Sequence, residues 1–380
     1  MKKKYKWLIA VLVVIVVAAV GVQQFLFPNQ FGRFQTTSKY KKGEASQEPL
    51  YSDKEFLKRM SKYPAFKDGL EQSTAVPGIQ GAWSLEIPKK ATDLTNLKMI
   101  KSKGLDPQGI AVSDKYIFIS AYDDDKKVLS VIYVVDKNSG KYVKTIVLPD
   151  HAHTGGLAYD PKSKMLWAAG YEDKFAVLLG MSDKTIADYD INSHKAAKFD
   201  TGFVLTSIKR ASTITFHNDD LWVGYFDAKK QGYIQKFKLQ RTADGQLLLG
   251  KSVGDLDGSV SKANLQLEAV PQLQGISATD TNVLMTSSFG NRNSKLIRYA
   301  IFGDDNLYDG KYVTLPPYLE SVAYDKNKNR FYALFESSTP KYRVKTKAVV
   351  DRIVFVDGNR LSKYEKTYHE LENPKETKVK

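Results

Sequence analysis

The chain has 380 residues, 42% of them hydrophobic and 26% charged, which supports a real core and excludes general disorder. It has no cysteine and five histidines, which excludes disulfides, thiolate metal sites, cysteine nucleophiles and a cysteine-linked lipid anchor, and argues against a histidine-rich metal site. The net charge of +15 is uneven: residues 1–60 hold 11 Lys/Arg against 4 Asp/Glu, so the rest is only mildly basic, which speaks against nucleic acid.

The front-loaded charge fits attraction to phospholipid headgroups or cell-wall polymers, or plain solubility. Lys2, Lys3, Lys4 and Lys6 precede an apolar run from Trp7 to Val22, which Gln23 and Gln24 interrupt and Phe25, Leu26 and Phe27 resume. The run is long enough to cross a bilayer as a helix, with the lysines holding its start in the cytoplasm. Residues 1–27 therefore read as a basic cytoplasmic tip and transmembrane signal-anchor, and the remainder as extracytoplasmic, in a single-pass protein of the cell membrane. Ala19 and Gly21 also offer a cleavage point before Val22, which would make the protein secreted. A cysteine-free exported chain suits an organism that does not rely on oxidative folding.

Residues 28–51 are polar and include Pro28, Gly43 and Pro49, which predicts a stalk without fixed structure. Ser52, Asp53, Lys54 and Glu55 have capping-box form, and Leu57 and Met60 follow on one helical face. This predicts a helix over 52–61, ended by Pro64, as a collar within a lead-in of residues 52–95.

From residue 96 the pattern changes to short alternating runs of β-branched and aromatic residues between Asp/Asn/Gly turns. Five segments align without gaps: 108–112 (QGIAV), 155–159 (GGLAY), 212–216 (STITF), 274–278 (QGISA) and 320–324 (ESVAY). Each precedes a polar turn and a second strand, at 117–122, 166–171, 221–226, 284–289 and 331–336. Third and fourth strands are expected at 132–136 with 142–148, 186–191 with 196–200, 234–239 with 247–253, and 296–301 with 312–315. The last repeat offers 352–356 and lacks a fourth strand downstream. An orphan strand at 97–101 is expected to fill that place and close the ring.

The repeat resembles a β-propeller over about 96–361, all-β, with five four-stranded blades around a channel. Six blades follow if 81–87 and 254–272 hide another. The glycine followed by alternating apolar residues is loosely similar to NHL-type and gluconolactonase-like propellers, without matching one family. Gluconolactonase-like enzymes hold a divalent metal with Glu, Asn and Asp, whereas the starting positions here carry one Glu and two Gln. No cofactor is therefore expected, a divalent metal being the remote exception. Residues 362–380 read as a flexible tail.

In a propeller the starts of the inner strands and the ends of the second strands share one face. The long segments at 151–154, 172–184, 194–210 in part, 255–273 and 337–350 are expected on it. A candidate ligand-binding ring follows: Gln108, His153, Arg210, Ser212, Gln274 and Glu320 inside, with Tyr122, Tyr171, Phe226, Phe289 and Glu336 around them. Amides, an arginine and carboxylates within an aromatic rim suit a polar or sugar-like ligand, and equally a ring that satisfies backbone groups and channel water. Glu320 is the catalytic candidate, either paired with Glu336 for acid–base work or facing Arg210 as an ion pair. Asp123, Asp124 and Asp125 read as a solvated turn rather than a calcium loop. His151 and His153 lack a third ligand for zinc.

Two functions from different classes remain. One is an anchored envelope module that binds a cell-wall polymer, a glycan or an envelope protein. The other is a hydrolase, lactonase or lyase acting at Glu320. A purely structural envelope component is the third alternative.

Overall fold

The computed structural model describes residues 32–33 and 39–369, except 173–174, 229–230, 253–259, 303–305, 326–327 and 329. The expected anchor over 1–27 and the end of the tail, 370–380, lie outside the described residues. Among the described residues no helix is long and apolar enough to cross a membrane.

Five blade sheets, antiparallel except where Thr201–Leu205 pairs in parallel with Val260–Lys262, form a β-propeller. Blade 1 is a continuous meander of Leu105–Val112, Tyr116–Asp123, Val131–Asp136 and Tyr142–Val147. Its third strand, VIYVVD, is apolar on both sides because each blade lies between two others. The apolar clusters accordingly sit between blades: Phe118 and Ile132 meet Leu166 of blade 2, and Trp167 and Leu178 meet Val223 of blade 3. The inner strands approach closely, so that a Cβ on Gly156 would lie 2.6 Å from the Ile214 nitrogen of the next blade.

Blade 5 takes Leu319–Asp325, Arg330–Phe335 and Arg352–Asp357 from the end of the chain. Its fourth strand comes from the front of the chain, as expected, but it is Leu70–Ala75 rather than 97–101. The closing strand reads LEQSTA, polar for a strand whose Ser73, Thr74 and Ala75 are all buried. Thr74 is accommodated because its hydroxyl donates to the Gly140 carbonyl at 2.7 Å. Met99–Ser102 instead pairs with Ala82–Leu85 in a separate hairpin whose Leu85 and Met99 join the core under blades 1 and 5.

Two other blades correct the expected strands. In blade 2 the third and fourth strands are Phe175–Ser182 and Thr201–Leu205, not 186–191 and 196–200. Residues 183–188 form a short helix, Ser182 Oγ accepting from the Thr185 N–H at 3.2 Å. The expected loop at 172–184 is therefore mostly strand, Glu172 pairing with Phe175. In blade 3 the third strand, Gln231–Arg241, is long enough to take two partners on one edge. Leu265–Pro271 pairs with its near half as the fourth strand, and Leu247–Leu249 with its far end. Blade 4 holds Leu273–Ala278, Asn282–Ser287, Ser294–Ala300 and Tyr308–Leu315.

The collar is two helices, Asp53–Arg59 and Pro64–Gly69, joined by a 3₁₀ turn. Pro64 starts the second helix instead of ending the first, since its missing N–H is an orphan donor at that position anyway. Arg352, fully buried, ties the collar to blade 5. It donates to Asp351 Oδ1 at 2.8 Å, Asp53 Oδ1 at 2.6 Å and the Tyr51 carbonyl at 2.7 Å. Residues 39–51, expected as stalk, are also folded here. Gln47 donates to the Gly140 carbonyl at 2.5 Å and accepts from the Tyr142 N–H at 2.8 Å. The described part of the tail is docked as well: Lys366–Thr367 pairs with blade 4 and Glu365 accepts from Arg298 at 2.9 and 2.6 Å.

Candidate functional site

The two faces are built by different local chemistry. On the opposite face each inner strand leads into its second strand, and in blades 1, 2 and 4 a side chain, Ser113, Asp160 or Thr279, closes the turn. Ser113 Oγ accepts from the N–H groups of Lys115 and Tyr116 at 3.2 and 2.9 Å, and Asp160 Oδ1 from Lys162 and Ser163 at 2.9 and 3.2 Å. On the first face the same strand pairs carry β-bulges. The ladder shifts at Gln108–Gly109 in blade 1, Gln274 in blade 4 and Glu320 in blade 5. A bulge re-aims the extra residue, here turning two amides and a carboxyl to the channel mouth.

These residues open onto a first-face cavity of about 600 Å³. Nine of the eleven residues expected from sequence line it: Gln108, His153, Tyr171, Arg210, Ser212, Phe226, Gln274, Glu320 and Glu336. The other two stand behind the lining, the Tyr122 ring 4.8 Å from His153 and the Phe289 ring 6.4 Å from Phe226. Another cavity of about 450 Å³ lies at the opposite end of blades 4 and 5, but its charged pair Arg298–Glu365 is already matched.

Glu320 pairs with Glu336 rather than with Arg210. Both are buried, at 6% and 8% exposure, so burial penalises two charges side by side. Burial first, then the neighbouring Glu336 charge, pushes Glu320 well above the carboxylate range, so it holds a proton at neutral pH. Glu336 is raised by burial to about 7, the rise limited by hydrogen bonds to Glu320 and Gln108 and by the charges of Lys341 and Lys345.

Asp106, which the sequence reading missed, completes an acidic corner. It is 1% exposed and neither carboxyl oxygen has a hydrogen-bond partner. Burial raises it to about 7; the nearby Thr339 hydroxyl opposes the rise, although its proton is directed at the Glu336 carbonyl, 3.1 Å away. Gln108 donates to the Pro107 carbonyl at 3.0 Å and leaves its Oε1 without a partner. His153 is drawn down by burial although its ring opens to the cavity, so it is neutral at pH 7. Burial raises the Tyr122 and Tyr342 phenols, which stay protonated as donors.

Tyr342, which lines the cavity, was missed as well. It comes from the short helix Pro340–Arg343 in the 337–350 loop, where nothing in the sequence separates it from the charges around it. Lys341 beside it donates to Asp124 Oδ1 at 2.5 Å and lies 5.0 Å over the Tyr342 ring. Asp106 had a signal: a carboxylate two positions before Gln108, on the same side of a buried strand. The aspartate run has no role in common. Asp123 accepts from Ser102 at 2.7 Å and from the Lys127 N–H at 2.7 Å, while Asp124 and Asp125 pair with Lys341 and Lys127. Among the described residues no group of three or more His, Asp or Glu is placed to hold a metal.

No protein-family model matches the chain, and no curated protein matches its sequence. Solved structures that resemble it include WD40 and other propellers, all at low identity. The RRP9 WD40 repeats share 10% identity over 67% of this chain and 94% of that one, with a TM-score of 0.40. The WD40 propeller domain of Doa1 shares 9% over 73% and 98%, TM-score 0.32. A structural-genomics protein of unknown function from Bacteroides thetaiotaomicron shares 11% over 73% and 76%, TM-score 0.34. Likeness at this level says nothing of what the chain binds or does.

Proposed function

We propose that this chain is a membrane-anchored, extracytoplasmic propeller that binds a small polar ligand, or a polar segment of an envelope partner, in the first-face cavity, with no resident cofactor. The supporting observation is the cavity itself, about 600 Å³ at the channel mouth, with an aromatic wall and buried polar groups left without protein partners. The front-loaded lysines and the apolar run over 7–22 support the anchor and its orientation. The test is the melting temperature of the full chain against sugars, amino acids, lactones, cell-wall fragments and divalent metals. A ligand of this site raises it by mass action, and Phe226→Ala removes the rise. No rise with any of them, or a rise that Phe226→Ala and Tyr171→Ala leave intact, rejects the reading.

The enzyme reading has one observation in its favour. Two carboxyls that share a proton and ionise in different ranges are a ready acid and base. On that reading Glu320→Gln lowers turnover about 10²-fold or more, whereas a binder shows no turnover to lose.

A further inference from the structure

The cavity distributes charge unevenly, which narrows the ligand class; this step rests on the binding reading above. One corner is Gln108, Glu320 and Glu336, from blades 1 and 5. All three are more than nine-tenths buried, and Gln108 Oε1 is an acceptor with no donor. Asp106 is close enough for Glu320 and Glu336 to feel its charge. Three clustered acceptors match the three donors of a primary ammonium. The Tyr342 ring beside them already has Lys341 at 5.0 Å and Lys345 at 5.2 Å, so this corner draws ammonium groups. The chain already seats one ammonium in this way, Lys341 between Asp124 and Tyr342. Arg210, on blade 3, lines the same cavity, and among the described residues no carboxylate pairs with it.

We propose that the cavity takes a small zwitterion, its primary ammonium donating to Gln108 Oε1 and the Glu320–Glu336 pair and its carboxylate held by Arg210. Seating the ammonium favours the ionised form of the pair, so a proton leaves to the buffer. Titratable groups that act on the pair are Asp106, Tyr318, Tyr342, Lys341 and Lys345, and His153 lines the same cavity. His153 is neutral and the phenols are protonated, so the carboxyls supply the proton.

Three probes of one length test this by titration calorimetry on the full chain: 6-aminohexanoate, hexylamine and hexanoate. The expected order of affinity is as written, in the millimolar range for such small flexible probes. Binding of 6-aminohexanoate should release protons, read as a heat that changes with the buffer's ionisation enthalpy. Glu320→Gln, which imitates the protonated form and so keeps the fold, should weaken 6-aminohexanoate about tenfold and reduce the release to what Glu336 alone can supply. Arg210→Ala, an exposed change, should bring it to the level of hexylamine. Hexanoate binding as tightly as 6-aminohexanoate, or none of the three binding, overturns the proposal. A neutral sugar whose stabilising effect is lost in Phe226→Ala would still leave the broader binding reading standing; no ligand at all rejects both.

Discussion

The two mouths of the channel are made from opposite ends of the same strand pairs, yet they use polar residues in opposite ways. At the opposite face polar groups are spent on the protein itself. Ser113 and Asp160 close turns, Asp160 also accepts from Arg241 at 2.6 Å, and the buried pair Lys137–Asp325 meets at 3.2 Å. At the first face the buried carboxyls of Asp106, Glu320 and Glu336 face one another, and an amide oxygen lacks a donor. Native interiors rarely leave polar groups unmatched, so the unmatched groups around this cavity are the ones the proposed ligand would match. Composition alone does not distinguish the two mouths; pairing does.

The sharpest break comes from Asp160→Ala. It removes the acceptor of two turn N–H groups and of one Arg241 nitrogen, Arg241 keeping Asp219 and Ser163, and should lower unfolding free energy by about 3 kcal/mol in urea melts while leaving first-face binding unchanged. Next come Asp106→Asn and Glu336→Gln. Both carboxyls are raised to about 7 in the folded chain, so the native state binds more protons than the unfolded one between about pH 4 and 7. Their cost is absent below the unfolded pKa and grows as pH rises through 7. Each replacement should therefore stabilise the chain by on the order of 2 kcal/mol at pH 8 and by almost nothing at pH 4. Denaturation at the two pH values reads the difference, and equal effects at both would break the contrast between the faces. Ser113→Ala should cost about 1 kcal/mol, the usual loss for a side chain that satisfies turn N–H groups. The smallest effect on stability is expected from Arg210→Ala, within about 0.5 kcal/mol as for other exposed positions, despite its loss of zwitterion binding.

Legibility followed local chemistry. The inner and second strands were readable because their alternation and their Ser, Thr or Asp turn residues recur in sequence. The ring residues were readable for the same reason: Gln108, Gln274 and Glu320 hold equivalent positions in the repeat. Outer strands were less so. Leu70–Ala75 is polar, and Thr74 is accommodated only by a carbonyl 66 positions away. Phe175–Ser182 was hidden because a hairpin of a few residues looks the same in sequence as the start of a long loop. Asp106 and Tyr342 escaped because one precedes the repeated segment and the other sits in a charged loop.

Sequence alone determined the repeat, the propeller class and closure by a segment from the front of the chain. Those features rest on short-range periodicity and turn chemistry, which neighbouring residues encode. Which segment closes blade 5, that residues 39–51 pack against blade 1, and that Glu320 meets Glu336 instead of Arg210 were decided only in three dimensions. They depend on pairings between residues far apart in the chain, where burial turns adjacent carboxyls into a proton-holding pair that no local pattern announces.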